Sequence, residues 1–253
     1  MNNECLALCL YDGPNEPLDL AEESMRHIHL MDQLGIPVSH MGLGGNRSSG
    51  KLMGKKAAFN HLAKAATGDY DSVSLVSCPP GSEGPAFDWM VYLEVNQVPV
   101  VGRTRNLACE SPLITRLSDS LFLDDILNGE VYSYGFSLTM PKEDCPEIYL
   151  LTGPTEGDDQ TRMAARLWQH FLMRHEPIGD RLRDVYPVNY LNDRHLALPV
   201  GSSTFKDVLR THGATSTRRI AGLAEYVLPS GSLSTVREIM RTTGHVISLP
   251  PVA

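Results

Sequence analysis

The sequence predicts an α+β fold, a mostly antiparallel or mixed sheet (or sheets) with packed helices. Three observations predict it. Strand-like segments come in runs and pairs separated by single helical segments, unlike the strict alternation of a βαβ chain. Val131–Met140 alternates cleanly, with Tyr132, Tyr134, Phe136, Leu138 and Met140 on one face and Ser133, Gly135, Ser137 and Thr139 on the other. Asp158–His175 has helical periodicity, its stripe formed by Ala164, Leu167, Trp168, Phe171 and Leu172.

In chain order, Glu4–Tyr11 reads as a first strand, ended by Asp12-Gly13-Pro14. Asp19 and Glu22 have the spacing of a capping box. Ala21, Met25, Ile28, Met31 and Leu34 then mark one helical face, and Gly35 stops the helix. A short strand is expected at Ile36–Met41, a Gly/Ser-rich loop from Gly42 to Gly54, and a helix over Lys55–Ala66. Strands are expected at Ser72–Ser77, Phe87–Val95 and Val98–Val101, with Asn96-Gln97 as a hairpin turn. A helix from Ser118 to Leu127 precedes the alternating strand, and Ile148–Thr152 reads as another strand. After the long helix, Ser203–His212 and Ser232–Thr243 read as helices, and Leu223–Leu228 and His245–Leu249 as strands. No fixed-period repeat or linker divides the chain. Residues 1–253 read as one domain with an internal seam near 153–160.

The chain has 253 residues, 42% hydrophobic and 21% charged, which is enough to bury a core without staples. Its net charge of −8 argues against a general nucleic-acid binder, whose footprint is basic. The acid is concentrated. Residues 1–200 carry 27 acids against 16 bases, a balance of −11, while residues 201–253 carry six bases against three acids. Five cysteines (Cys5, Cys9, Cys78, Cys109 and Cys145) are odd in number and contain no CxxC, the pattern of reduced thiols in a cytoplasmic protein. Cys5 and Cys9 share a strand face and are expected as small buried residues. The apolar run Cys5–Leu10 follows Glu4 with no basic region before it, so it reads as a strand and not a signal peptide. No apolar stretch reaches the length needed to cross a bilayer.

Gly45-Asn-Arg-Ser-Ser-Gly50-Lys51 fits the phosphate-cradling pattern G-x-x-x-x-G-K. Leu52 stands where the pattern needs a magnesium-binding Ser or Thr, so a flexible glycine loop is the competing reading. The nine histidines show no metal-ligand spacing, and no nucleophile elbow occurs. Asp124-Asp125 diverge by about 100° on a helix, as on a solvated face. No catalytic residue, cofactor or metal is assigned.

Asp184-Val-Tyr-Pro-Val-Asn-Tyr-Leu-Asn is dense in turn residues and apolar anchors. With His195-Leu196, Pro199-Val200-Gly201, Gly222-Leu223, and Val236-Arg237 through Gly244-His-Val-Ile, it resembles immunity proteins of bacterial polymorphic-toxin and type VI secretion systems. The resemblance spans Asp184–Leu249 and points to the group found beside toxins with a restriction-endonuclease-like fold. Tyr226 stands near the place where that pattern carries an aromatic residue, often Trp. The resemblance implies a cytoplasmic, non-enzymatic protein that binds and neutralises a secreted antibacterial toxin, a nuclease, with no direct contact to nucleic acid or membrane. The alternative is a nucleotide-binding or hydrolytic enzyme using Gly45–Lys51.

A nuclease needs a basic cleft, so an acidic inhibitor is steered toward it. The candidate partner-binding residues are Glu16, Glu22 and Glu23 around the first helix and Asp158 and Asp159 at the start of the long one. Tyr132 and Tyr134 read either as core or as a contact surface.

Overall fold

Glu4–Tyr11 (β1) is buried at all but its first and third residues and lies near the middle of a ten-stranded sheet. A computed structural model describes residues 4–66, 68–79, 81, 88–98, 102–110, 113, 122–127, 129–153, 159–174 and 176–248. The remaining elements are α1 (Leu20–Gln33), β2 (His40–Gly44), β3 (Met53–Gly54), α2 (Lys55–Leu62), β4 (Ser72–Ser77), β5 (Val91–Val98), β6 (Gly102–Glu110), α3 (Phe122–Leu127), β7 (Tyr134–Pro141), α4 (Pro146–Thr152), α5 (Asp159–Met173), β8 (Val188–Leu191), α6 (Asp193–Leu196), β9 (Pro199–Val200), β10 (Ser203–Thr204), α7 (Phe205–Thr211), β11 (Thr215–Ile220), β12 (Leu223–Val227) and α8 (Leu233–Arg241). The sheet order is β11-β12-β8-β7-β1-β6-β5-β4-β2-β3, and every pairing is antiparallel. The fold is α+β.

Both faces of the sheet are covered, and the period of two in β1 sorts its side chains between them. Cys5, Ala7, Cys9 and Tyr11 face a core shared with Leu150 of α4, Trp168 and Phe171 of α5, Phe205 and Leu209 of α7, and Val236 and Met240 of α8. Leu8 and Leu10 face a second core with Met31 of α1, Ala58 of α2 and Ile126 of α3. Each large apolar side chain so buried contributes roughly 1.5–3 kcal/mol. Cys5, Cys9, Cys78 and Cys109 are buried free thiols, and burial pushes Cys5 up to about 11 and Cys9 and Cys109 up to about 12.

Local chemistry sets several boundaries. Asp19 accepts from the Ala21 and Glu22 amides at 2.9 and 3.0 Å and starts α1. Thr204 and Asp207 form a reciprocal capping box at the start of α7. Gly102 has φ +87°, and a Cβ there would lie 2.5 Å from the Gly13 carbonyl oxygen, so the β5–β6 hairpin needs glycine at this point.

Several expectations are corrected. Ile148–Thr152 belongs to helix α4, with Pro146 in its first turn and not to a strand. β5 runs through Asn96-Gln97, so the hairpin closes later, with Val98 opposite Gly102. β2 extends into the expected glycine loop, while Ile36 and Val38 are buried outside any strand. β6 and β11 were not anticipated. In the strand expected at His245–Leu249, whose last residue lies outside the described residues, Val246 forms a parallel bridge to Leu182. Of the strand expected at Val98–Val101, Val98 ends β5; residues 99–101, the early part of the Ser118–Leu127 helix and most of the seam at 153–160 lie outside the described residues.

Candidate functional site

The buried face of α1 is Leu20, Glu23, Ser24, His27 and Met31, while Met25 is exposed. A carboxylate and an imidazole can face the sheet because β6 turns Arg103 and Arg105 toward them. Arg105 Nη2 donates to Glu23 Oε1 at 2.5 Å and to Glu130 Oε2 at 2.8 Å. Arg26 donates to both Glu23 oxygens at 2.8 and 3.1 Å, and also to the Asp125 and Ile126 carbonyls at the end of α3. Arg103 pairs with Glu130. Burial alone would raise the Glu23 carboxyl, but Arg26 and Arg105 hold it down at about 2.

His27 Nε2 lies 2.9 Å from Arg26 Nη2 and 3.2 Å from Arg105 Nη1. The same nitrogen also lies 3.2 Å from the Ile126 carbonyl oxygen and 3.3 Å from Glu23 Oε1, so donors and acceptors crowd around it. Burial, then the Arg105 charge, lowers His27 to about 3.

The expected partner-binding residues therefore separate. Glu16 and Glu22 are exposed near the start of α1. Asp159 is exposed and pairs with Arg162 at 2.6 Å. Asp158 lies outside the described residues. Glu23 is 8% exposed and belongs to the buried network, so it is corrected from surface charge to structural ion. Tyr132 and Tyr134 take the core alternative, since both are buried, but they point to opposite sides of the sheet and do not share the one face expected of them. Tyr132 precedes β7 and accepts from Arg105 Nε at 2.7 Å. Tyr134 stacks on Tyr11 with ring centroids 5.9 Å apart and donates to the Asp184 carbonyl at 2.9 Å. Asp124 and Asp125 are exposed on α3, which packs against α1.

The Gly45–Lys51 loop is folded on itself. The Arg47 amide donates to the Asp69 carbonyl at 3.1 Å, the Ser48 amide to Gly45 at 3.0 Å, and the Gly50 amide to Ser48 Oγ at 3.0 Å. A phosphate cradle needs such amides free and a helix starting at the lysine. Here β3 intervenes and α2 begins at Lys55. Among the described residues, no group of three or more His, Cys, Asp or Glu could hold a metal ion, and no helix is long and apolar enough to cross a membrane.

On the opposite face of the sheet, α4, α5 and α8 enclose a cleft of about 530 Å³. Arg183 is buried in its wall. Its Nη1 donates to Tyr11 Oη at 3.0 Å and the Leu150 carbonyl at 2.7 Å, and its Nη2 donates to the Tyr149 carbonyl at 2.8 Å. The guanidinium also lies 4.8 Å from the Trp168 ring centre. Arg237 pairs with Asp184 at 3.2 Å and Arg241 with Glu238 at 3.5 Å. This cleft was not anticipated. Its available signals were Arg237 and Arg241, four apart on one helix, and Asp184 at the head of the turn-rich stretch.

No family model and no curated protein matches the chain. Its fold is similar to that of the Pseudomonas aeruginosa T6SS protein PA0821, with a TM-score of 0.52 and 13% identity, over 96% of this chain and 77% of that one. At that identity the likeness shows a shared fold.

Proposed function

We propose that this chain is a cytoplasmic immunity protein that binds a type VI secretion toxin, a nuclease, and neutralises it by direct contact. The observation that carries this reading is the structural likeness to a T6SS protein over 96% of the chain. The resemblance of Asp184–Leu249 to immunity proteins supports the same class. The exposed acids Glu16, Glu22, Asp124 and Asp125 suit a basic partner surface and would steer its approach. On this reading the protein performs no chemistry and touches neither nucleic acid nor membrane.

Co-expression with the candidate toxin encoded beside the gene tests the proposal. Growth should be restored in proportion to the amount of this protein made. Continued killing at equal or higher expression of the protein would refute it.

A further inference from the structure

We propose that the cavity between the loop following β2 and the polar face of β4 and β5 binds an uncharged, polyhydroxylated molecule of the size of one sugar ring. This site is separate from the acidic surface and independent of toxin neutralisation.

The sheet register builds the floor. Ser72 and Ser74 of β4 lie opposite Asn96 and Glu94 of β5 on one side and Gly44 and Gly42 of β2 on the other. Val73, Leu93 and Val95 alternate with them and pack into the second core, which leaves the polar residues on the other face. The two glycines keep the floor deep. A Cβ at Gly44 would collide with Ser72 Oγ, and one at Gly42 would lie 3.0 Å from a Leu52 methyl. Ser48, Gly50, Lys51 and Leu52 line the space from the loop, and Trp89 and Glu147 line it as well.

Glu94 is the anchor. It is only 7% exposed, yet it lines the cavity. Asn106 Nδ2 donates to its Oε2 at 3.1 Å, and Asn96 and Tyr92 are its other hydrogen-bonding neighbours. A carboxylate has about four acceptor positions, more than these neighbours fill. Ser72, Ser74 and Tyr92 carry hydroxyls that both donate and accept, and Tyr92 Oη donates to Ser74 Oγ at 3.2 Å. Sugar hydroxyls match this set, donating to the carboxylate while accepting from the serines. The C–H face of the ring suits the Tyr92 and Leu52 side chains. Burial raises the Glu94 and Glu147 carboxyls, and a phosphate would set a further negative charge against them. The loop that matches a phosphate-binding pattern thus walls a space whose chemistry favours neutral hydroxyls. The volume of about 320 Å³ is at the lower end of small-molecule sites.

The test uses the whole protein, titrated separately with D-glucose, D-galactose and N-acetyl-D-glucosamine, and with inorganic phosphate and n-butylamine as charged probes, followed by amide NMR. At least one sugar should shift the Ser72, Ser74 and Glu94 resonances with saturation, and neither charged probe should. Glu94→Gln should weaken that binding at least about tenfold, and Ser74→Ala about threefold. Glu22→Gln, an exposed change on α1, should leave it unchanged. If Glu94→Gln does not fold, Ser74→Ala decides. Absence of saturable shifts at these residues with all three sugars, unchanged affinity in the folded cavity variant, or equal loss in Glu22→Gln would overturn the proposal. Saturation of the same residues by phosphate or butylamine would overturn it in favour of a charged ligand.

Discussion

Arg105 on β6 and Glu23 on α1 are joined at 2.5 Å inside the protein, 82 residues apart in the chain. The pair fixes α1 on the sheet and removes from the surface a carboxylate that the sequence alone places on an acidic helix face. Deleting Glu23 leaves the buried Arg105 with Glu130 as its remaining carboxylate and removes the carboxylate that Arg26 also grips. Glu23→Ala is expected to destabilise the fold by about 1–3 kcal/mol. Urea denaturation would show a large fall in midpoint, whereas Glu22→Ala, one residue away and exposed, should leave it nearly unchanged.

The same network sets the acid response. His27 titrates near 6.5 when unfolded and at about 3 when folded. The unfolded state therefore binds the extra proton between those values, and stability falls as pH drops through that window, by up to about 1.4 kcal/mol per pH unit. Glu23, held at about 2, adds to the loss below its unfolded value of about 4.3. Denaturation curves at pH 7, 5.5 and 4 should show the decline. A His27→Gln variant should lose the part between pH 6.5 and 4.5. An unchanged slope in that variant would contradict the assignment.

How far the sequence could be read depended on whether each residue's partner was local. β1, β4 and α5 follow their own periodicity, and α7 carries its own cap. β6 was missed because Arg103, Arg105 and Asn106 interrupt its apolar pattern, and their burial makes sense only against Glu23, Glu130 and Glu94 on other elements. The face of α1 was rotated for the same reason, its apolar Met25 exposed and its Glu23 and His27 buried. Ile148–Thr152 is an apolar run too short for its period to separate strand from helix, and Pro146 in the first turn of α4 was the overlooked signal. The cleft joins Tyr149, Arg183 and Arg237, a conjunction created by sheet order and absent from any local pattern.

Lys51 should be dispensable. It is exposed, and the Arg47, Ser48 and Gly50 amides are engaged within the loop and with Asp69. Lys51→Ala is expected to leave thermal stability and toxin neutralisation unchanged, and adding ATP or GTP should not raise the melting temperature of either form. A nucleotide-dependent rise in wild type that vanishes in the variant would restore the enzymatic alternative.

Steering by the acidic surface is testable by reversal. Glu16→Lys with Glu22→Lys should slow association several-fold and flatten its salt dependence, with little change in melting temperature, because exposed charges act on encounter more than on stability. Asp159→Lys gives the comparison at a second site. Stopped-flow association at low and high salt reads both. Asp19 is kept, since losing the α1 cap would cost about 1 kcal/mol and blur the result.

Neutralisation by direct contact is read out by gel filtration of the chain mixed with a catalytically silenced form of the neighbouring toxin. One co-eluting peak containing both proteins is expected, formed also by the Lys51→Ala variant. Rescue of growth by the chain with the two proteins eluting separately at micromolar concentration would contradict it, and would indicate an antidote that acts without binding.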